Sequence, residues 1–581
     1  MSLERAKLYQ DQLYGTKVLD PLAVAVIDTP EFQRLAGLRQ LGFADRVYRG
    51  ATHTRFEHAV GSCFLSQTLL RRLAHNHERL GLPHPGRFLS PRFAGPADGT
   101  DEARWRGLTG ITAIAALLHD VAHVPFGHTL EDEFAGLYGR HDRLASPRLR
   151  AMLFDPASDL ARVFSHAVPP WFPGLTNTDL ARLIFVILNW TEDATSGAGF
   201  PAVLAAARAV APADRRPPLD DLARWHAAFA GERLFHPFMS DLIGTAISAD
   251  LLDYLPRDRL NLGMEPRLHT RLHRYFTVRP GSLYADEGLR LSILACRRTG
   301  GQRLDVATAI LAIMRERNEM AERVFYHHKK AALSTTLVKL LELTAPADRP
   351  RDDGEMYPAP WTIPIPAGEP AGGTPRPPHL THLSDASLVE YLARAGTTSA
   401  ADRPVRDALA TALRFRRTDL HRTLLVLDAE LAAASRAGRQ GIVAHLRGAA
   451  EAPSQAGRQA LETALAAAAG GHDGDVLVYC PSPEMQSRDI DVRLEIEPGR
   501  ILPLGAQRPL FAHRADVDVL DQYYRELWRA YIFVSPALAA DAGRCRAVVD
   551  AVCRQYGIPA ADAWRRVRGH RFAATPEEGH A

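Results

Sequence analysis

The sequence is poor in lysine and lacks any long uncharged apolar run. Lysine supplies only five of the 70 basic residues in a chain of 581, and the formal net charge is +3. No strongly basic block marks a nucleic-acid-binding arm. No apolar run approaches the roughly 20 residues that a membrane-spanning helix needs, and residues 1–15 lack the apolar core of a signal peptide. We therefore expect a soluble, cytoplasmic protein with no membrane partner.

Cysteines with the spacing of a metal-binding or redox motif are also absent. The five cysteines form no CxxC pair and are odd in number, which gives no support to a zinc ribbon or a disulfide framework. The length exceeds what one hydrophobic core usually serves, so two lobes are expected. We predict a helical core over 1–343, a Pro/Gly-rich linker or loop over 344–380, and a C-terminal helical and mixed α/β lobe over 381–581.

Hydrophobic patterning supports a mainly α fold with a few strands near the C-terminus. Helical periodicity dominates to about Leu343 and resumes from Leu383 to Ala469. Residues 475–480 and 490–496 read as strands, the first buried and the second alternating. Residues 523–536 and 537–556 read as helices again.

The most informative segment is a nearly all-apolar helix that ends in polar residues, Ile111 to His128. It carries His119 and Asp120 and then His123, with Pro125 expected to end it. A segment apolar on every side belongs in a core, where an uncompensated imidazole and carboxylate would be costly. A metal ion would satisfy both. The dipeptide alone says little, because His472-Asp473 occurs in a Gly-rich turn.

Two further helices carry residues that complete a metal-ligand set. Arg55 and His58 stand three residues apart on one helix face, and Asp250 opens a third helix that Pro256 should kink or end. His58, His119, Asp120 and Asp250 offer two imidazoles and two carboxylates. That mixture suits manganese, iron or magnesium better than a structural zinc, with zinc or nickel as further options. The alternative is a set of separate, hydrogen-bonded core residues.

The order of these motifs resembles the HD-domain deoxynucleoside triphosphate (dNTP) triphosphohydrolases. Ile27–Gly42 is similar to the first helix of their catalytic core and leads into the Arg55–His58 motif without a gap. The similarity is close over Lys7–Asp142 and returns at Asp250–Asp258 and Tyr326–Lys330. The resemblance implies an HD-domain helical core with a smaller α/β lobe, a nucleotide substrate, and a homo-oligomer (dimer, tetramer or larger). Because the similarity begins near the first residue, we expect no SAM domain before it.

The resemblance also implies a role for each residue around the metal. It assigns His58, His119, Asp120 and Asp250 as ligands, with Asp250 also orienting the attacking water. A histidine titrates near neutrality and can give up a proton, so we assign His128 as general acid and His123 as a phosphate contact. His141 and Asp142 match a His-Glu pair that supports catalysis. Arg55 would clamp a phosphate with its planar fork.

Substrate contacts match the family less evenly. Gln40 and Leu41 correspond to residues that meet the 3′ hydroxyl and crowd the 2′ position of a deoxyribose. The other matching positions are Tyr254, Asp258 and Tyr326. Two departures stand out, since His327 replaces a base-contacting glutamine and Leu251 replaces a phosphate-binding lysine. An arginine, Arg257 or Arg323, could substitute for that lysine.

The family's nucleotide-sensing site is incomplete in this sequence. Lys7, Asp28 and Gln33 match it, but Ala36 stands where an arginine is expected. We therefore do not expect regulation by nucleotides.

Three functions compete at this point. The first is dNTP triphosphohydrolysis, and the second is hydrolysis of another phosphoester, such as a nucleoside monophosphate, a signalling nucleotide or a nucleic-acid end. The third is a binding or assembly protein that kept the fold. The complete ligand set with His123 and His128 argues against the third, whereas Leu251 favours the second.

Overall fold

The computed structural model describes residues 6–568 with internal gaps. The gaps are 95–97, 135–136, 142–143, 173, 192–198, 245–246, 281–287, 298, 300, 354–355, 357–376, 416–419, 450–451, 482–492 and 505–513. Most of the predicted linker over 344–380 therefore lies outside the described residues, as does Asp142.

The described chain is mainly helical, which confirms the predicted fold class. The helices of the first 343 residues are α1 (Pro21–Ile27), α2 (Pro30–Gln33), α3 (Arg55–Leu80), α4 (Asp101–Leu118), α5 (Pro147–Phe154), α6 (Asp159–Trp171), α7 (Asn177–Asn189), α8 (Gly199–Val210), α9 (Arg216–Gly231), α10 (Phe238–Gly244), α11 (Ala249–Asn261), α12 (Leu304–Met320) and α13 (His328–Leu343). Those that follow are α14 (Asp385–Arg394), α15 (Arg403–Arg414), α16 (Ala429–Ala434), α17 (Gly438–Arg447), α18 (Ala456–Ala468), α19 (Arg514–Glu526), α20 (Pro536–Ala539), α21 (Ala542–Tyr556) and α22 (Ala560–Trp564).

The strands form small sheets. They are β1 (Lys7–Asp11), β2 (Gly15–Leu19), β3 (Phe276–Pro280), β4 (Leu289–Leu294), β5 (Arg422–Asp428), β6 (Gly448–Ala449), β7 (Ala452–Pro453), β8 (Val476–Tyr479), β9 (Arg493–Glu497), β10 (Arg500–Pro503) and β11 (Arg529–Val534). β1 and β2 form a hairpin, and β11 lies between β5 and β8, antiparallel to both. A four-stranded sheet has the order β10-β9-β4-β3, with β4 parallel to β9. The short strands β6 and β7 pair with each other.

Several strands correct the sequence-based assignment. β8 matches the predicted buried strand. β9 overlaps the second predicted strand, of which residues 490–492 lie outside the described residues, and its side chains are mostly buried instead of alternating. Residues 529–534, which we assigned to a helix, form β11, and β5 interrupts the expected helical stretch from Leu383 to Ala469. The hairpin β1–β2 and strands β3 and β4 were missed as well. A short apolar run fits a buried strand and a buried helix equally well, so periodicity alone cannot separate them.

One sheet uses strands from both sides of the predicted lobe boundary. β3 and β4 belong to the first 343 residues, whereas β9 and β10 follow the linker region. Leu494 and Ile496 of β9 accordingly pack into the same apolar cluster as the N-terminal helices. The division at residues 343 and 381 stays a prediction.

Three helices carry the sequence motifs and pack together. α3 begins with a capping box between Thr54 and Glu57, and α4 is capped by Thr100. α11 is capped by Ser248 and continues through Pro256 to Asn261, so the expectation that Pro256 could end it was wrong. An interior proline costs about 3 kcal/mol, a loss that the burial of Leu251, Leu252 and Leu255 can offset.

Among the residues that the structure describes, no helix combines the length and apolar character needed to cross a bilayer.

Candidate metal centre

The end of α4 places two polar residues at the edge of the apolar core. Its last turns, Ala113 to Leu118, are almost fully buried, and His119 is the residue that caps the helix. The helix therefore ends at Leu118, well before Pro125, and His123 lies in the turn that follows. His119 and His123 are therefore not stacked one turn apart on a helix, and each joins a different group of polar side chains.

His58 of α3, His119 and Asp250 of α11 converge on one point. His58 Nε2 lies 3.1 Å from His119 Nε2 and 3.0 Å from Asp250 Oδ1, and His119 Nε2 lies 3.6 Å from the same oxygen. Ligand atoms about 2.1 Å from a shared ion and at right angles are about 3.0 Å apart. The Asp250 side chain is 34% exposed, so the group opens to solvent on one side.

The tautomers of both histidines leave their Nε2 lone pairs available. His119 Nδ1 lies 2.8 Å from the carbonyl oxygen of Ala116, which can only accept, so this nitrogen carries a hydrogen and donates. His58 Nδ1 lies 2.8 Å from Asp253 Oδ2 in the same way. Second partners of this kind orient metal-binding imidazoles. The two facing Nε2 atoms cannot both carry a hydrogen at 3.1 Å, whereas both can bind one cation.

Asp120 stands between this group and a second one. Its carboxylate lies 3.5 Å from His119 Nε2, 4.0 Å from His58 Nε2 and 3.3 Å from His123 Nε2. Arg55 Nη1 donates to Asp120 Oδ2 at 2.6 Å, whereas Oδ1 is the atom nearer to His119 and His123. The four predicted ligands are thus brought together, with Asp120 the most distant from the shared point and held by Arg55.

The electrostatics of the site favour a positive charge at its centre. Burial alone would lower the pKa of His58, but hydrogen bonds with Asp250 and Asp253 raise it to about 10. Burial raises the pKa of Asp250 and Asp120, yet the surrounding imidazoles, with Arg55 for Asp120, bring both below the usual range. A divalent cation supplies the same charge without protonating His58. The donor set and its charge therefore fit the predicted metal.

His123 and His141 form the second group with Asp120. Their rings lie 3.4 Å apart between centroids, and both face Glu131, at 3.1 Å from His123 Nδ1 and 2.6 Å from His141 Nδ1. Arg148 donates to the other oxygen of Glu131 at 2.8 Å. Burial, then Arg55 and His141, lower the pKa of His123 to about 4. His123 is therefore a neutral imidazole at physiological pH.

His128 lies beside this group and faces solvent. Its side chain is 59% exposed, its Nδ1 pairs with Asp132 at 2.7 Å, and its ring centroid is 5.4 Å from that of His123. Arg140 holds the other oxygen of Asp132 at 3.1 Å. Asp132 thus engages Nδ1 of His128, on a ring that is exposed beside His123.

The predicted sugar contacts Gln40, Leu41 and Tyr254 are all at least partly buried. Leu41 is buried, and the Gln40 side-chain oxygen is buried without a hydrogen-bond partner. A buried amide oxygen left unpaired is costly, so Gln40 is suited to accept from a bound hydroxyl. Tyr254 lies one helical turn after Asp250, with its ring 6.3 Å from that of His58.

Two predicted substrate contacts already have partners within the protein. Arg257 is buried and uses its guanidinium on Asp253 and Asp11 at 2.9 Å. Asp258 is buried and pairs with His53 at 2.8 Å. Both side chains point into the protein because they follow Asp253 around α11. The assignments of Arg257 to a phosphate and Asp258 to the sugar stay predictions, and each side chain would have to keep or exchange these partners to meet a substrate.

The other assigned residues lie farther out or are already engaged. Tyr326 is buried, and its carbonyl accepts from Tyr531 at 3.0 Å. His327 caps α13 by accepting from the Lys329 amide. Arg323, the second proposed replacement for the missing lysine, pairs with Glu319 at 2.8 Å.

The residues of the predicted regulatory match lie near the N-terminal hairpin. Lys7 and Asp28 form an exposed ion pair at 3.1 Å, and Gln33 donates to the backbone of Ile27 at 2.8 Å. No cation stands at Ala36, so this set offers one basic side chain.

Sequence reasoning missed two carboxylates that hold the site. Asp253 orients His58, and it could have been found, because it lies one turn after Asp250 on the same helix. Glu131 joins His123, His141 and Arg148. No spacing rule predicts that contact, since it depends on how the segment after His128 folds back.

Comparison with known proteins agrees with the resemblance. The chain is 33% identical over 149 residues to the deoxynucleoside triphosphate triphosphohydrolase SAMHD1 of Xenopus laevis, covering 26% of this chain and 20% of that protein. It is 32% identical over 135 residues to the human SAMHD1, covering 23% and 18%. An HD domain-containing protein of Acanthamoeba polyphaga mimivirus is 33% identical over 132 residues, covering 22% and 26%. No family model matches the chain.

The matches are limited in extent. The chain spans about a fifth of the length of the SAMHD1 proteins of Xenopus laevis and human. Within that extent, the chain resembles the HD-domain deoxynucleoside triphosphate triphosphohydrolases, as its motifs predicted.

Proposed function

We propose that this protein is a metal-dependent phosphohydrolase that cleaves dNTPs into a deoxynucleoside and tripolyphosphate. The observation that carries the proposal is the convergence of His58, His119 and Asp250, with Asp120 alongside, next to a separate histidine group. His58, His119, Asp120 and Asp250 would hold the ion. When bound, a divalent ion polarises a phosphoryl oxygen and lowers the pKa of water.

His128 is placed to act as the general acid. The Asp132 carboxylate at 2.7 Å fixes its Nδ1 as a donor, which leaves Nε2 to deliver a proton. The ring faces solvent beside His123, where a leaving oxygen could reach it. An alkoxide such as the nucleoside 5′ oxygen departs poorly without a proton, so this group should govern the chemical step.

His123 and Arg55 are the residues that would contact the phosphates of the substrate. His123 is neutral and buried, so it contributes a hydrogen bond and no charge. Arg55 is fixed by Asp120 through one arm of its guanidinium, and that pairing also keeps Asp120 ionised. His141 supports His123 through their shared Glu131. Asp142, for which we proposed a supporting role with His141, lies outside the described residues.

Gln40 supports a sugar-bearing substrate. Its buried, unpaired oxygen would accept from a 3′ hydroxyl, and buried Leu41 next to it would crowd a 2′ hydroxyl. Tyr254 would complete the sugar contact, and Tyr326 and His327 would lie toward the base. This arrangement favours a deoxynucleotide over a ribonucleotide.

A second candidate is hydrolysis of another phosphoester, including a nucleic-acid end. The specific observation that favours it is the shortage of cations for a triphosphate. Leu251 is buried in the core, Arg257 is occupied by two carboxylates, and Arg323 pairs with Glu319. A monophosphate or diester carries less charge and needs fewer cations.

A panel of substrates separates the two candidates. The protein is incubated with each dNTP, each NTP, a deoxynucleoside monophosphate and a single-stranded oligonucleotide, under Mn²⁺ or Mg²⁺. Products are identified by mass. We expect deoxynucleoside and intact tripolyphosphate from dNTPs and little turnover of NTPs. Turnover of the oligonucleotide or monophosphate with no tripolyphosphate from any dNTP would support the second candidate.

The resemblance further leads us to propose a homo-oligomer, a dimer or tetramer or larger, located in the cytoplasm. Mass photometry at the assay concentration tests the assembly. A single monomer peak with full activity would exclude it.

A further inference from the structure

Asp385, which lies beyond the predicted linker, contacts two backbone segments of the candidate active site. Its Oδ2 accepts from the amide of Arg39 at 2.8 Å, and its Oδ1 accepts from the amide of Phe126 at 2.7 Å. These partners lie 346 and 259 residues away in sequence. One buried carboxylate thus joins two distant loops.

The first of these loops leads directly to the substrate and phosphate residues. Arg39 pairs with Thr54 as an isolated bridge, the Gln40 amide donates to His53 at 3.1 Å, and the Arg55 amide donates to Leu38 at 2.9 Å. Fixing the Arg39 amide therefore fixes the register of Gln40 against the segment that starts α3. The positions of Gln40 and Arg55 therefore depend on how the Arg39 amide is held.

The second loop joins His123 to His128 through a strained turn. Phe126 has a φ of 54°, a region that a bulky residue enters only when its surroundings enforce it. Its ring stacks on Phe43 at 4.2 Å, and its carbonyl accepts from the Thr129 amide at 2.7 Å. The bond to Asp385 holds the Phe126 backbone amide from a distant segment, alongside the ring contact that Phe43 makes with the side chain.

The protonation state of Asp385 suits a double acceptor. Burial raises its pKa to about 6, while the amides of Arg39 and Phe126 act in the opposite direction. Above that pH both oxygens are free of protons and can accept. Hydrogen bonds to an ionised acceptor are stronger than neutral ones.

We propose that Asp385 is a positioning residue for the reaction, bracing the Arg39 and Phe126 loops so that Gln40, His123 and His128 keep their relative positions. The inference rests on the proposed function for what the braced residues do. It adds that a residue from beyond the linker region sets the geometry of the site. Asp385 contacts none of the metal ligands, so the metal should still bind when the brace is removed.

The experiment measures amide hydrogen exchange and kinetics on the full-length chain. Asp385→Asn keeps one acceptor oxygen and Asp385→Ala keeps none, so exchange at Arg39 and Phe126 should rise in the order wild type, Asn, Ala, by about tenfold or more for Ala. Val548→Ala, in the buried core of α21, is the control. It destabilises the chain without touching either loop, so those two amides should change no more than the other amides of the core.

The kinetic arm separates positioning from general stability. We expect kcat to fall about tenfold in Asp385→Asn, with bound metal unchanged and KM altered less than kcat, and no such fall in Val548→Ala. Kinetics use whichever phosphoester the substrate panel identifies, and exchange requires no substrate. Failure of the proposed function therefore leaves the exchange result interpretable. Unchanged exchange at both amides, or raised exchange with unchanged kcat, would overturn the proposal.

Discussion

The dipeptide His-Asp lies in two described regions with opposite surroundings. His119-Asp120 follows a buried helix, and its two side chains are 12% and 7% exposed among other imidazoles and carboxylates. His472-Asp473 lies in a turn between Gly470 and Gly474, with Asp473 paired to Lys339 at 2.7 Å and 42% exposed. The same two residue types thus form part of a candidate metal centre in one place, whereas in the other the aspartate forms an ion pair with a buried lysine.

The difference arises from what the chain brings to each dipeptide. At His119 the neighbours are His58 from α3 and Asp250 from α11, both aimed at the same point. At the second dipeptide the neighbour is a lysine paired with Asp473, and a lysine repels a metal ion. Burial and convergence, and not the dipeptide, make a metal site.

The largest expected effect is the loss of a metal ligand at the first dipeptide, and the matching substitution at the second dipeptide is its control. His119→Ala should lose bound metal and reduce turnover to background, because several kcal/mol of transition-state stabilisation depend on the ion. His472→Ala should leave both unchanged. Metal content is measured by elemental analysis alongside kcat. Stoichiometric metal in His119→Ala would remove this residue from the ligand set.

Loss of the proposed general acid should be the next largest effect. His128→Ala should lower kcat by about 10²–10⁴-fold, since the leaving oxygen is no longer protonated, while metal content stays at the wild-type level. His166→Ala, another exposed histidine bonded to a backbone carbonyl, is the matched control. Equal kcat in wild type and His128→Ala would assign the proton to another group.

The support behind His58 should have a smaller, distinct effect. Asp253→Ala removes the partner of His58 Nδ1 and should weaken metal affinity about 10–100-fold. It also leaves Arg257 with Asp11 alone, which should cost about 3–5 kcal/mol of unfolding free energy. Asp241→Ala breaks a comparable buried pair with Arg290, so it should destabilise the fold without changing metal affinity. Metal titration and denaturant unfolding compare the two, and equal metal affinities would contradict the role of Asp253.

The smallest effect is expected from a substitution that adds a cation near the site. Leu251→Lys, next to Asp250, should lower KM for a dNTP by up to about tenfold, because a charged hydrogen bond to phosphate is gained. Leu252→Lys, equally buried one residue later, should only destabilise the fold. A KM unchanged by Leu251→Lys in a folded protein would indicate that the substrate carries no triphosphate near this position.

The residues that could be predicted from the sequence are those whose surroundings are local. The apolar run before His119 predicts a buried helix end. The capped start of α3 places Arg55 and His58 on one helix face. The pairing of Arg257 also follows a local rule, because Asp253 stands one turn before it and binds its guanidinium.

The contacts that could not be predicted join distant segments. Asp385 bonds to Arg39 and Phe126 across hundreds of residues, and Glu131 depends on the fold of the segment after His128. The sequence of β11 has a helical pattern, and the segment forms a strand because it pairs with β5 and β8. Periodicity records the face that a segment buries and not the partner it buries against.

Hydrolysis in ¹⁸O-labelled water tests the central claim most directly. If water attacks the α-phosphorus of a dNTP and the 5′ oxygen leaves, one ¹⁸O atom must enter intact tripolyphosphate and none the deoxynucleoside. Mass spectrometry of both products under Mn²⁺, with His119→Ala as the blank, gives the result. Label in orthophosphate or pyrophosphate from attack at the β- or γ-phosphorus, or label in the nucleoside, would contradict the proposed reaction.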